Sequence, residues 1–161
     1  MIRTATGMDV DRLMHTVLSR PACYAQVVVC VPFVDDEMLD LIIRLADATR
    51  RAGCGLRVIT TPATAAVVHR RLPGHPEQWR SLVVARKSLH AKVYLVVGRS
   101  PARSEALVTS ANLTAAGVAR NIELGVLACP STDSGRQLIN EVRRFLQDLV
   151  GVHPRSSARQ R

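Results

Sequence analysis

The sequence predicts an α/β fold, a mixed β-sheet sandwiched between helices, and three observations carry that reading. Val-rich runs alternate with helix-period segments through the first half of the chain. Several strand-like runs then follow one another closely, and a last helix-period segment follows them.

In chain order, Met1 to Gly7 is expected to be loose. Val10, Leu13, Met14, Val17 and Leu18 keep helical spacing, which predicts a helix over Asp9 to Ser19, ended by Arg20-Pro21. Tyr24 to Val31 reads as a buried strand. Pro32 to Asp36 is the turn after it, and Asp35 or Asp36 is placed to cap the next helix. That helix carries Leu39, Ile42, Ile43 and Ala46 on one face. Arg50 and Arg51 stand near its negative pole, with Gly53 just beyond. Leu56 to Thr60 is a second strand, Ala63 to Arg71 a short helix, and Leu82 to Ala85 a third strand, reached by a loop through His75, Pro76 and Trp79.

The next strand is Val93 to Val97, continuous in apolar residues and so expected to be covered on both faces. Leu107 and Val108 begin another after a turn at Pro101 to Glu105. Ile122, Leu124 and Val126 alternate with Glu123 and Gly125, as a half-buried strand would. Ser131, Thr132 or Asp133 can cap a final helix with Leu138, Val142, Phe145 and Leu149 in line, ended by Gly151. One domain over residues 1–152 and a basic, disordered tail over 153–161 are the expected organisation.

Composition narrows the partners. A formal charge of +9, from 22 Lys and Arg against 13 Asp and Glu, favours a polyanion, nucleic acid before an anionic membrane surface. A solvated basic surface is the plain alternative. The four cysteines form no C-x-x-C pair, so a reduced, cytoplasmic protein is expected. No apolar run approaches the roughly 20 residues of a membrane span, and no leader segment is read.

The chemistry concentrates between Leu89 and Gly125. His90-x-Lys92, Ser110-x-Asn112 and Glu123 each stand at the end of, or on, a strand-like run. Neighbouring strands could bring them to one place, since residues two apart share a face. The set suits a phosphodiester. A neutral imidazole can attack phosphorus, a carboxylate on its other nitrogen holds the tautomer, and Lys92 and Asn112 can donate to the non-bridging oxygens. No metal or other cofactor is required, and no convincing set of metal ligands is read. Each residue also has a plain reading: Lys92 and Glu123 as solvated strand charges, Ser110 and Asn112 as turn formers. His15, His69, His75 and His153 lie in contexts that suggest surface roles.

With these residues in view, the stretch resembles the phospholipase D superfamily, whose signature is H-x-K-x4-D followed by G-S-x-N. The likeness is to its small nuclease-like members, including those of restriction and phage-defence systems. It rests on His90, Lys92, Ser110, Asn112 and Glu123. Two positions depart: Val97 stands where the signature has Asp, and Thr109 where it has Gly. The superfamily joins two H-x-K motifs in one active site, whereas this chain carries one, a single half of that arrangement. The resemblance therefore implies a homodimer in which one His90 attacks phosphorus and the partner's copy protonates the leaving oxygen.

The expected function is a metal-independent endonuclease on DNA or RNA. Arg70, Arg71, Arg80, Arg86 and Lys87 are candidates for tracking the nucleic-acid backbone. Two alternatives stand beside it: a phospholipase or phosphatidyl transferase, and a catalytically weak nucleic-acid-binding subunit working with other subunits of a defence or restriction assembly. The first lacks a membrane-docking segment, so no membrane partner is expected.

Overall fold

The computed structural model describes residues 1–71 and 82–151. Seven strands form one sheet in the order β1-β7-β6-β5-β2-β3-β4. They are β1 (Ile2–Ala5), β2 (Tyr24–Cys30), β3 (Gly55–Thr60), β4 (Val83–Ala85), β5 (Val93–Gly98), β6 (Glu105–Thr109) and β7 (Gly125–Ala128). Strands β2, β3 and β4 are parallel; β5, β6, β7 and β1 continue the sheet antiparallel. The helices are α1 (Gly7–Ser19), α2 (Asp36–Arg51), α3 (Pro62–Arg71) and α4 (Asp133–Val150).

Residues of α1, α2 and α3 cluster with Val27, Val29, Val58, Tyr94, Val96 and Leu107 on one face of the sheet. On the other face α4 packs with Val28, Cys30, Ile59, Leu95 and Ala106, joined by Leu89. Every second residue of a strand supplies each cluster, as the pleat requires. Burial raises the Cys30 thiol to about 12, which leaves it a core residue rather than a nucleophile. Among the described residues no helix is long and apolar enough to cross a membrane.

Several sequence expectations need correction. The segment from Met1 to Gly7 is not loose: β1 pairs antiparallel with β7 as an edge strand. Only Ala5 of its four residues is buried, so backbone pairing makes the strand and no apolar period announces it. Helix α1 starts at Gly7 rather than Asp9, because the Asp9 carboxylate accepts the Thr6 N–H at 2.9 Å and closes the first turn. The buried stripe of α4 is Ile139, Val142 and Leu146, and Phe145 is exposed.

The alternation at 122–126 also resolves differently. Strand β7 begins only at Gly125, and Ile122, Leu124 and Val126 all lie exposed. The core takes Leu127 and Ala128 instead, while α4 leaves this corner of its face uncovered. The chain over residues 72–81 and 152–161, with Arg80, Trp79 and the expected basic tail, lies outside the described residues.

Candidate active site at one edge of the sheet

The antiparallel connections settle where the candidate residues meet. Val93 at the start of β5 pairs with Val108 near the end of β6, and Thr109 pairs with Gly125 at the start of β7. The residues just before β5, just after β6 and just before β7 therefore share one sheet edge. They are His90 and Lys92, Ser110 and Asn112, and Glu123.

Each is held by local chemistry. Ser88 adopts a left-handed conformation, φ 57°, two residues before His90. This position is unfavourable for a residue with a Cβ, and it turns the chain from Arg86-Lys87 toward His90. Lys92 donates its ammonium to the His90 carbonyl at 3.1 Å, which ties the two ends of the motif. Ser110 joins the second group to the third. Its Oγ donates to Glu123 Oε2 and accepts the Leu124 N–H at 3.1 Å. Asn121 Nδ2 donates to the other Glu123 oxygen at 3.3 Å. Glu123 is thus fixed against Ser110, and no hydrogen bond joins it to the His90 ring among the described residues.

Asn112 lies on a reinforced loop. The buried Tyr94 hydroxyl donates to the Ala111 carbonyl at 3.2 Å, and Thr109 Oγ1 accepts the Ala111 N–H at 3.2 Å. Beyond it, Asp35 caps α2 by accepting the Met38 N–H at 3.0 Å and also accepts the Ala115 N–H at 2.7 Å. A π-helical turn over Ala116–Arg120 follows. It approaches so closely that a Cβ on Gly117 would stand 2.7 Å from the Asn112 carbonyl. Asn112 Oδ1 is buried without a hydrogen-bond partner among the described residues. Such a group costs about 1–3 kcal/mol and tends to persist where function retains it.

His90, Lys92 and Ser110 line an open depression of about 530 Å³ with Val93, Val108, Glu141 and Phe145. The last two come from α4: Phe145 is named in the sequence for that helix's apolar line and not for the site, and no motif marks Glu141. Asp35 was legible as a cap but not as the anchor of the Asn112 loop. Among the described residues, no group of three His, Cys, Asp or Glu side chains could hold a metal ion. Val97, which stands where the signature has Asp, lies four residues along β5 from Val93, about 13 Å from that edge.

The basic candidates divide. Lys87 is exposed in the turn before His90. The Arg86 guanidinium is taken up by the Leu149 and Ala85 carbonyls, so it anchors the end of α4. Arg71 pairs with Asp40 at 3.5 Å, and Arg70 is exposed on the last turn of α3.

No family model and no curated protein sequence matches the chain. Solved structures do. The fold is similar to polyphosphate kinase from Porphyromonas gingivalis, with TM-score 0.62 and 16% identity, over 97% of this chain and only 26% of that one. It is similar to Nuc, a phospholipase D family member from Salmonella typhimurium, with TM-score 0.61 and 12% identity, over 94% of this chain and 93% of that one. NucT from Helicobacter pylori matches with TM-score 0.57 and 11% identity, over 94% of each chain. Because the match to Nuc runs nearly the full length of both chains, the architecture found here is the fold of that phospholipase D family member in a single copy.

Proposed function

We propose that this chain is a metal-independent phosphodiesterase, an endonuclease on DNA or RNA, that works as a homodimer. The observation that supports it most is the convergence of His90, Lys92, Ser110, Asn112 and Glu123 on one sheet edge beside an open depression. In the proposed cycle, a neutral His90 nitrogen attacks phosphorus and a P–N bond forms as the P–O bond to the leaving group breaks. The partner copy's imidazolium gives its proton to the leaving oxygen. The same imidazole then takes a proton from water, which attacks the phosphohistidine and releases His90. Lys92 and Asn112 donate to the non-bridging oxygens, Ser110 supports them, and Glu123 orients the imidazole in the reacting assembly.

A dimer fits the surface beside the site. Val108 and Val126 form an exposed cross-strand pair, continued by Leu124 and Ile122 and flanked by Phe145. A contiguous apolar patch of this kind marks an interaction surface. A second copy seated there would bring its own His90 to the depression. Nucleic acid is the favoured substrate because of the +9 charge.

The test is incubation of native protein and His90→Ala with plasmid and single-stranded DNA in excess EDTA. The native protein should cut and the variant should not. Loss of native cutting in EDTA, restored by magnesium, would overturn the mechanism.

A further inference from the structure

Helix α4 has two unlike flanks. One, with Glu141 and Phe145, faces the His90 depression. The other carries Arg136, Asn140, Arg143 and Gln147, spaced four, three and four residues apart, so they form one stripe about 16 Å long. Two depressions lie along that stripe and share Arg143. One, of about 350 Å³, also presents Arg99 over a floor of Val97, Pro101, Pro130 and Ile139. The second, of about 210 Å³, presents Arg57 and Gln26 over Val28, Leu95, Leu146 and Val150. Among the described residues, no carboxylate lines either one.

The charge here is not consumed by the fold. Arg57 and Arg143 make no ion pair and no hydrogen bond among the described residues. Arg99 donates to the carbonyls of Ala22 and Gly53, which leaves its charge unneutralised. Arg136 alone is balanced, by Asp133.

We propose that this arginine groove binds single-stranded nucleic acid, as a second site on the flank of α4 opposite His90. The guanidinium groups engage successive phosphates. The apolar floor and the Asn140, Gln147 and Gln26 amides receive unpaired bases, with arginine planes available for stacking. A duplex hides its base faces and a bare polyphosphate has none, so neither uses the floor. The groove deepens the nucleic-acid reading and rests on it, but it does not depend on cleavage.

The test measures binding of a fluorescein-labelled 12-mer of thymidylate to full-length His90→Ala, with and without Arg57→Ala and Arg143→Ala together. Melting temperature is followed in each variant, with Arg44→Ala, on exposed α2 surface, as the charge control. The double change should weaken binding at least tenfold and reduce the salt slope by about 1.4, at about 0.7 for each lost phosphate contact. Arg44→Ala should shift neither by more than about twofold. If melting shows misfolding, Arg143→Gln alone is read, with a slope loss of about 0.7. Binding equal to the control overturns the groove, even where native protein cuts DNA in EDTA and the catalytic proposal stands. Equal competition by inorganic polyphosphate of matched charge also overturns it, since bases would then add nothing.

Discussion

At the edge of the sheet that carries His90, the parallel strands and the antiparallel strands end very differently. The last residues of β2 and β3 are buried, and the hydroxyls of Thr60, Thr61 and Thr64 all donate to the single carbonyl of Pro32, at 3.3, 3.1 and 2.8 Å. That corner is sealed by its own hydrogen bonds. Two and three strands from β2, strands β6 and β7 leave Val108 and Val126 in the open, and among the described residues Lys92 reaches only a backbone carbonyl and Asn112 Oδ1 has no partner. The parallel half satisfies its polar groups internally. The antiparallel half leaves Asn112 Oδ1 without a partner among the described residues and its apolar surface uncovered, as the proposed site for an anion and a second copy would require.

The strongest way to break that contrast is to remove the polar groups of the open corner. His90→Ala should lower turnover by several orders of magnitude, since both the nucleophile and the acid–base group are lost. Lys92→Ala should cost roughly 10²- to 10³-fold in kcat, the effect of removing one donor to a developing oxyanion. Both variants should melt within about 2 °C of native protein, because neither side chain is in the core. A His90→Ala protein that cuts DNA at close to the native rate would show that the site lies elsewhere.

The uncovered apolar surface supplies the next test. Native protein should sediment at about twice 17.6 kDa. Leu124→Asp, which places a charge on a side chain 69% exposed in the single chain, should return it to one chain mass and lower activity in parallel. Raising its concentration should restore part of both. Full activity in a strictly monomeric variant would separate the apolar patch from catalysis.

A paired comparison of the two halves predicts opposite signatures. Leu45→Ala, a fully buried position of α2 behind the parallel strands, should destabilise by about 2–5 kcal/mol and leave kcat at its native value. Gly125→Ala should do the reverse. A Cβ there stands 2.6 Å from the Val108 carbonyl, so β6 and β7 must separate where Ser110 meets Glu123. Its kcat should fall about tenfold, with a loss of only about 1–3 kcal/mol in stability. If both variants change only melting temperature, the Ser110–Glu123 link has no part in turnover.

The same contrast explains what the sequence made legible. Buried strands such as β2 and β5 announce themselves by continuous apolar runs, and the H-x-K and S-x-N pairs are readable from their residue types and spacing, although they lie just outside β5 and β6 rather than on a strand face. Alternation at 122–126 shows that two faces differ, yet carries no sign for which of them meets the core. Here the apolar face meets solvent, since Ile122, Leu124 and Val126 all lie exposed. The β1 edge strand was illegible because main-chain pairing leaves no side-chain pattern. The dual role of Asp35 was hidden too, since its second partner, Ala115, lies 80 positions away. For the basic residues, the sequence counts charges but does not say which are consumed. Arg86 is tied to α4, whereas Arg143, which sequence reading passed over, stands unpaired among the described residues.

The smallest expected effect comes from the far end of the antiparallel half, where β1 is fastened to α1. The Arg3 guanidinium hydrogen-bonds the Asp9 carboxylate, the Thr6 N–H adds a second bond, and Arg12 lies 3.5 Å away. These interactions, the Arg3 bond foremost, hold the Asp9 carboxyl below its ordinary value of 3.8 against the opposing effect of burial. A carboxyl that is more acidic in the folded state stabilises it at every pH above the unfolded value. That contribution disappears as pH falls below 3.8 and through the folded value. Native protein should therefore lose stability relative to Asp9→Asn over that acid window, and the gap between them should stay constant from about pH 5 to pH 7. Arg3 is well exposed, so the gap is expected to be a shift of a few degrees in Tm rather than unfolding. Urea melts of both proteins at pH 7, 5 and 3 measure it. A gap that persists unchanged at pH 3 would mean that Asp9 acts through packing, with no stabilising charge at this junction.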